Sequence, residues 1–576
     1  MCGIFGIVYN KEIAKAELMS KMDKMSKISK YRGPDQGSIK VFGNAAIGMN
    51  RLSILEPDAN CTINESMSSN SYAVFNGEIS NYLELDMELK GKCDSSIILP
   101  LYEKYKDFFV KKLAGMFAIA IYDNATKSLK LYRDQLGIKP LYYCITDECF
   151  IFASEIKMIY SVLDRKPTIN ISAIDHILRY RFEPGEGTVF NEIKKVLPGQ
   201  IVRYDDKRII KEKYWTLKNN NEISEKEYTI EGFNELLQQV VNEHLISDVK
   251  GGFFTSGGLD SSLITAIAMK DASNYQQPIS IKFQPNSVID EVYGKKLEEY
   301  IGVTFEWVTI DDRLARKTLL DIVQYLDEPL ENPTHIGTYL MAKRAKELGI
   351  KTVITGDGSD EFFLGYERQA CWLKEKNPVE IYPSLCVTMK DSEREIYREE
   401  IISHILPMID GRGRVVEPIS NMNDALIFER EERLPEYHNM RLDRMTMANS
   451  VEAKVPFLDR RIVEYSLHLS HQELHGTNGK AWLKKVAERW LPNEIIYRNK
   501  VLFPSLPDQW ISGEGIEWIS EILLYGRVAS SNLFKRDIVE KYIKEHSIGK
   551  IHRGKLLWAL AVLELWLNNL DNWVRE

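Results

Sequence analysis

Histidine is missing from residues 1–175: in a chain of 576 residues the first of ten histidines is His176. A cysteine nucleophile usually draws its base from histidine, so a Cys–His dyad built from amino-terminal residues alone is excluded. Long basic runs are missing too, and a net charge of −8 leaves no electrostatic footprint for nucleic acid. The seven cysteines, Cys2, Cys61, Cys93, Cys144, Cys149, Cys371 and Cys386, are odd in number and contain no C-x-x-C pair. That pattern argues against a disulfide framework and against a thiolate zinc site. No apolar run reaches bilayer length; residues 556–570 come nearest and carry Glu564 and two asparagines. The start of the chain lacks a basic n-region and does not read as a signal peptide. A Walker A loop, Gly-x-x-x-x-Gly-Lys-Ser/Thr, is also absent. A cytoplasmic enzyme with neither membrane nor nucleic-acid partners is the expectation.

What is present begins at the second residue, in Met1-Cys2-Gly3-Ile4-Phe5-Gly6. With Met1 removed, Cys2 carries its own base, an α-amino group whose unperturbed pKa is about 7.7 to 8.0. Nucleophile and base then share one residue. Taken alone, a lone cysteine reads equally as a small buried apolar residue.

A chain of this length needs two or more large domains. Up to about residue 204 the pattern favours short strands, at 117–122, 129–132, 141–145 and 150–153, separated by turns and by helical stretches at 97–108 and 171–178. This reads as an α+β domain of stacked antiparallel sheets. Residues 218–226, with three consecutive asparagines, mark a linker, and the division is drawn as 1–210, a connection over 211–226, and 227–576. Beyond it, strands at 251–255, 279–283 and 352–355 alternate with helices at 232–244, 261–270, 291–300 and 338–347. That alternation predicts a parallel α/β sheet with ligands at the carboxyl ends of its strands, followed by a mainly helical last hundred residues.

Between a strand and a helix lies Ser256-Gly257-Gly258-Leu259-Asp260-Ser261-Ser262. Adjacent glycines let backbone approach a ligand, and the helix N-terminus favours an anion. The serine hydroxyls and Asp260 complete a site suited to phosphate oxygens and a magnesium ion. The segment resembles the pyrophosphate loop of ATP pyrophosphatases. Joined to Cys2, it resembles the glutamine-dependent asparagine synthetases over nearly the whole chain. The likeness takes in Arg32-Gly33-Pro34-Asp35, Arg51-Leu52-Ser53-Ile54, Asn76-Gly77-Glu78, Arg133-Asp134-Gln135-Leu136-Gly137, Lys139-Pro140-Leu141-Tyr142 and Ala153-Ser154-Glu155. Later it takes in Gly358-Ser359-Asp360-Glu361 and Glu452-Ala453-Lys454-Val455-Pro456-Phe457-Leu458-Asp459.

The resemblance implies an N-terminal-nucleophile (Ntn) glutaminase followed by an ATP pyrophosphatase domain. Cys2 would attack the glutamine amide, Asn76 and the Gly77 N–H would hold the oxyanion, and Arg51, Glu78 and Asp94 would bind the amino-acid head group. In the second domain, residues 256–262 and Gly356 would bind ATP, Asp260 and Asp360 would hold Mg2+, and Lys480 would steady charge on the phosphate. Asp357 stands where the family's glutamate assists ammonia attack. The substrates implied are glutamine, aspartate and ATP, and relatives suggest a homodimer.

Two departures from the family pattern bear on the acceptor. Gly356-Asp357-Gly358-Ser359-Asp360-Glu361 carries aspartate in place of glutamate, one methylene shorter. Asp327-Glu328-Pro329-Leu330-Glu331-Asn332-Pro333-Thr334-His335 follows the family segment only loosely, and His335 reads as a loop residue without a function. Lys454 replaces a frequent arginine. Three readings remain open: asparagine synthetase, an amide ligase for another carboxylate in a polysaccharide or natural-product pathway, and a silent scaffold, which would be expected to have lost Cys2 or Asp260.

Overall fold

A computed structural model describes residues 2–59, 62–85, 93–217, 228–271, 274–284, 288–416, 419–477, 479–498 and 506–575. Antiparallel strands build its amino-terminal part, and Cys2–Tyr9, Ala45–Arg51 and Ser128–Arg133 are buried along their whole length. One six-stranded antiparallel sheet runs in the order Ile193–Lys195, Tyr142–Ile145, Cys149–Ala153, Cys2–Tyr9, Ala45–Arg51, Gln36–Phe42. A second runs Arg208–Lys213, Gln200–Asp205, Ser128–Arg133, Gly115–Asp123, Ser71–Ile79, Asn64–Ser66. Their facing sides interlock through Cys2, Ile4, Ile47, Val74, Ala118, Leu131 and Phe152. This is the stacked arrangement the strand pattern predicted.

Register then decides which residues reach the end of the sandwich. Cys2 is the first residue of its strand and lies opposite Arg51, the last of its neighbour. In the other sheet, Asn76 faces Ala118, and Gly77 faces Phe117. A side chain cannot stand at position 77: the backbone there has φ 144°, and a Cβ would lie 1.9 Å from the Met116 carbonyl oxygen.

The second unit opens with the helix Ile230–His244. Thr229 caps it by accepting from the Gly232 N–H at 3.0 Å, and Phe233, Leu237, Val240 and Val241 form its buried stripe. Five parallel strands follow in the spatial order Glu306–Ile310, Tyr275–Phe283, Gly251–Phe254, Thr352–Ile354, Glu452–Lys454. The order in which the chain adds strands reverses between Gly251–Phe254 and Thr352–Ile354, which themselves run parallel. That is the switch point where a crevice opens beyond the carboxyl ends.

The strands Glu306–Ile310 and Glu452–Lys454 were not foreseen. The first alternates too weakly to signal itself, and the second is a three-residue edge strand. Residues 211–213, expected in the linker, instead pair with Gln200–Val202 in the second sheet. The rest of the expected linker that matters, 218–226, lies outside the described residues. His335 is not in a loop; it is buried in the first turn of the helix Thr334–Glu347. The last hundred residues are helical, as expected. Their longest member, Gly554–Asn569, packs Trp558 and Trp566 into the core that also holds the outer face of the first sheet. No described helix is long and apolar enough to cross a membrane.

The two units are joined through Arg32. Its buried guanidinium donates to the Cys2 carbonyl at 3.1 Å, to Glu155 at 2.9 Å, and to both carboxylate oxygens of Asp443 at 2.8 and 3.0 Å. Arg32→Ala would leave Glu155 and Asp443 buried without this cation, a loss on the order of 3–5 kcal/mol. A thermal-melting midpoint well below that of the unsubstituted protein is the expected outcome; an unchanged midpoint would show that the cluster does not hold the units together.

Candidate active site

The strand ends of the sandwich frame a cavity lined by Cys2, Arg51, Gly77, Glu78, Asp94 and, from the second unit, Glu452. Burial pushes the Cys2 thiol above its ordinary pKa, while a hydrogen bond from the Leu52 N–H and the nearby Arg51 charge pull it back. Asn76 stands beside it. Its Oδ1 accepts from the Cys2 N–H at 2.9 Å, and its Nδ2, also buried, has no partner among the described residues. A fixed, unspent amide donor next to a sulfur nucleophile is the geometry that an oxyanion needs.

Three carboxylates share the cavity. Asp94 accepts from the Ile79 N–H at 3.0 Å and the Ser95 N–H at 2.9 Å, yet burial still raises its pKa to about 6. Glu78 is raised as well, by burial against the pull of Lys454 and with Glu452 and Asp94 repelling it. Its Oε1 accepts from the Lys454 ammonium at 2.9 Å, and its Oε2 is buried without a hydrogen bond among the described residues. Lys454 gives its other two protons to the carbonyls of His244 and Ile246, at 2.8 and 3.0 Å. An ammonium-bearing ligand suits this acidic wall. Arg51 is in place, but its terminal nitrogens donate to Gln36 and to the carbonyls of Leu55, Glu56 and Ala59.

At the crevice of the parallel sheet lies a larger cavity, lined by Ser256, Asp260, Ser261, Gly356, Asp357 and Asp360 among others. Ser261 Oγ accepts from the Ser256 N–H at 3.1 Å, which folds the first loop over the start of the helix Leu259–Asp271. The second loop presses against it: a Cβ on Gly356 would lie 2.6 Å from Ser261 N. The two loops thus present backbone amides and hydroxyls to one anion-sized space.

Lys480 occupies the junction. Its ammonium bonds Asp260, meets Asp360 at 2.6 Å and Ser359 Oγ at 2.9 Å. Burial lowers its pKa, but the two carboxylates outweigh that and hold it above the ordinary lysine value. Asp260 Oδ1 is buried and accepts no hydrogen bond among the described residues. Two carboxylates close enough to share one cation, with an oxygen unspent, fit a magnesium ion. Asp357 is less open than its position suggests: Oδ1 accepts a hydrogen bond from Arg441 and Oδ2 accepts one from Thr355 Oγ1 at 2.6 Å.

The comparisons with known proteins agree with this geometry. The family model described as asparagine synthase matches residues 232–568, and that of the glutamine amidotransferase domain matches residues 1–215. The chain belongs to the asparagine synthase family. It is similar to asparagine synthetase [glutamine-hydrolyzing] 1 of Bacillus subtilis, with 27% identity over 98% of this chain and 96% of that one. Asparagine synthetase B [glutamine-hydrolyzing] of Escherichia coli is 26% identical over 91% and 84%. A putative asparagine synthetase 2 of Methanocaldococcus jannaschii is 32% identical over 64% and 76%.

Sequence reasoning therefore brought the expected residues of this family member into two clusters, but it missed the partners contributed across the domain boundary. Glu452 lies in a quoted motif, yet nothing local says that it lines the cysteine pocket. The stretch 428–439, which walls the larger cavity, carried only one signal, a proline inside a helical pattern, Pro435.

Lys480→Met removes the cation that Asp260 and Asp360 share. The expected result is a melting temperature below that of the parent in chelator, and a larger rise on adding magnesium. Equal magnesium shifts in both proteins would show that the pair is not a cation site.

Proposed function

We propose that this chain is a glutamine-dependent asparagine synthetase, in which residues 1–210 release ammonia at Cys2 and residues 227–576 activate and amidate aspartate. The observation that carries the first half is the unspent Asn76 amide beside Cys2. After removal of Met1, the Cys2 amine takes the thiol proton and the sulfur attacks the side-chain amide carbon of glutamine. The oxyanion is held by Asn76 Nδ2 and the Gly77 N–H. The amine returns the proton to the leaving ammonia, and water hydrolyses the thioester to glutamate. Glu78 and Asp94 hold the glutamine ammonium. Arg51 takes its carboxylate, which requires exchanging loop carbonyls for the ligand.

In the second cavity the aspartate side-chain carboxylate attacks the α-phosphorus of ATP, releasing pyrophosphate and leaving an acyl-adenylate. Ammonia then attacks the acyl carbon and AMP departs. Residues 256–262 and Gly356 cradle the phosphates. Asp260 and Asp360 would hold a magnesium ion, which offsets phosphate charge and eases departure of pyrophosphate. Lys480 supplies positive charge at the same place. Amidation of a different carboxylate is favoured by one observation, the engagement of Asp357 by Arg441 and Thr355.

The two sites lie at opposite ends of one strand pair. Glu452, which opens its strand, faces the cysteine pocket, and the loop after Thr352–Ile354 faces the larger cavity. This short separation suits transfer of ammonia within the protein.

Mass spectrometry of asparagine and AMP, with glutamine or ammonium as nitrogen source, tests the reading. Cys2→Ala is expected to lose only the glutamine-dependent reaction; equal loss with both sources would sink the two-site scheme. Asn76→Leu is expected to slow glutamine hydrolysis by about 10² to 10³, with ammonium-dependent AMP formation preserved. Acid pH gives a separate check. A carboxyl raised to about 6 becomes neutral as pH falls through that value and no longer pairs with an ammonium. The KM for glutamine should therefore climb between about pH 7.5 and about pH 5.5, and Asp94→Asn should flatten that rise.

A further inference from the structure

The helical end of the chain gathers three metal-ligand side chains that neither cavity uses. Asp508 lies in the short helix Leu506–Trp510, His546 in the last turn of the helix Arg536–Ser547, and His552 in the loop that leads into Gly554–Asn569. One ligand atom from each lies within 4.8 Å of the other two, and among the described residues no other three histidine, cysteine, aspartate or glutamate side chains meet in this way.

Local packing explains the meeting. Glycine at 554 lets the short helix press on the start of the long one, since a Cβ there would lie 2.2 Å from Asp508 Oδ1. Instead, Asp508 Oδ1 accepts from the Gly554 N–H at 2.8 Å, which leaves Oδ2 for a cation. His546 is buried, and its Nδ1 accepts from the Arg553 N–H at 3.2 Å, tying the ring to the same loop. His552 is exposed.

The neighbouring cations are committed elsewhere. Arg553 turns its guanidinium away, with Nε and Nη2 donating to Glu545 at 2.9 and 2.8 Å and Nη1 donating to Glu393. Lys555 feels the charge of Asp508 but lines the larger cavity. Burial holds the His546 pKa below its ordinary value against the pull of Asp508, so the ring is neutral near pH 7, the form that binds metal.

Two imidazoles and one carboxylate suit a divalent transition ion such as zinc, whereas magnesium prefers oxygen ligands and water. Bonds of about 2.0–2.2 Å to one ion place its ligands about 3 to 4 Å apart. The His552 side chain, exposed on its loop, is free to close the difference. On His546 the ion replaces the bond from Arg553, either directly at Nδ1 or at Nε2 with the proton moved to Nδ1.

We propose that Asp508, His546 and His552 bind one divalent transition-metal ion, with water completing its shell. The ion staples the short helix to the start of the long one. Both elements also reach the larger cavity, through Leu506, Pro507 and Lys555, so the staple fixes one rim of that cavity from outside. None of the three ligands lines either cavity, and the site is structural.

Cobalt(II) is the probe, with zinc as competitor, titrated into the full chain purified without a histidine tag. Excess magnesium keeps cobalt from the carboxylates of the phosphate loops. One equivalent is expected to bind with visible d–d absorption and no thiolate band in the near ultraviolet, and zinc is expected to displace it. His552→Ala alters an exposed side chain, and Asp508→Asn keeps an oxygen for the Gly554 N–H. Each should weaken cobalt binding about tenfold or more, and His552→Ala should melt with the parent in chelator. Zinc should raise the melting temperature of the parent and of neither variant. Absence of a one-equivalent site in the parent, or equal cobalt affinity in the parent and either variant, would overturn the inference, whichever carboxylate the enzyme amidates.

Discussion

A set of buried charges ties the two units together, beside the apolar core that they share. Arg32 binds the Cys2 carbonyl and on its other side grips Glu155 and Asp443. Arg444, the next residue after Asp443, pairs with Asp327 and donates to the Ser154 carbonyl at 3.2 Å. Asp327 begins the segment that supplies Glu331 to the larger cavity, and Arg441, on the same helix as Asp443, holds Asp357. Buried charges persist only when matched with good geometry. The matching here fixes the helix Met440–Met447 against the amino-terminal sheet and so sets the position of one unit's site relative to the other's.

The parallel sheet adds the second constraint. Its switch point brings the loops after Phe254 and Ile354 into contact, and close approach at Gly356 makes a single phosphate-sized site of them. The edge strand Glu452–Lys454 then spends its alternation on the domain boundary. Glu452 reaches the cysteine pocket, and Lys454 uses all three protons on Glu78 and two carbonyls. The replacement of arginine by lysine there is thus more than retention of charge: three single donors meet three separate acceptors, a task that suits an ammonium better than a planar fork.

Much of this was legible from residues alone because the signals are local. Strand alternation around 117–122 and 129–132, the glycine turn at 257–258 and the capped helices that follow are set by neighbours within a few positions. The quoted motifs also served two purposes that a sequence does not separate. Asp134 is structural, receiving the N–H groups of Leu136, Ile138 and Lys139, and Arg133 binds the carbonyls of Gly137, Lys139 and Val196. Asn76, equally embedded in a motif, keeps a donor unspent. Only hydrogen-bond accounting in three dimensions distinguishes them.

By itself the sequence determined the two fold classes and the order of the units, since periodicity and turn chemistry act over a few residues; the residues expected at each site came from the resemblance to the asparagine synthetases. Tertiary structure decided the partnerships: Glu452 with the cysteine pocket, Arg441 with Asp357, and His335 inside a helix. Those depend on which elements pack together over hundreds of residues of chain, and on which charges that packing strips of water, and neither is encoded in any local pattern.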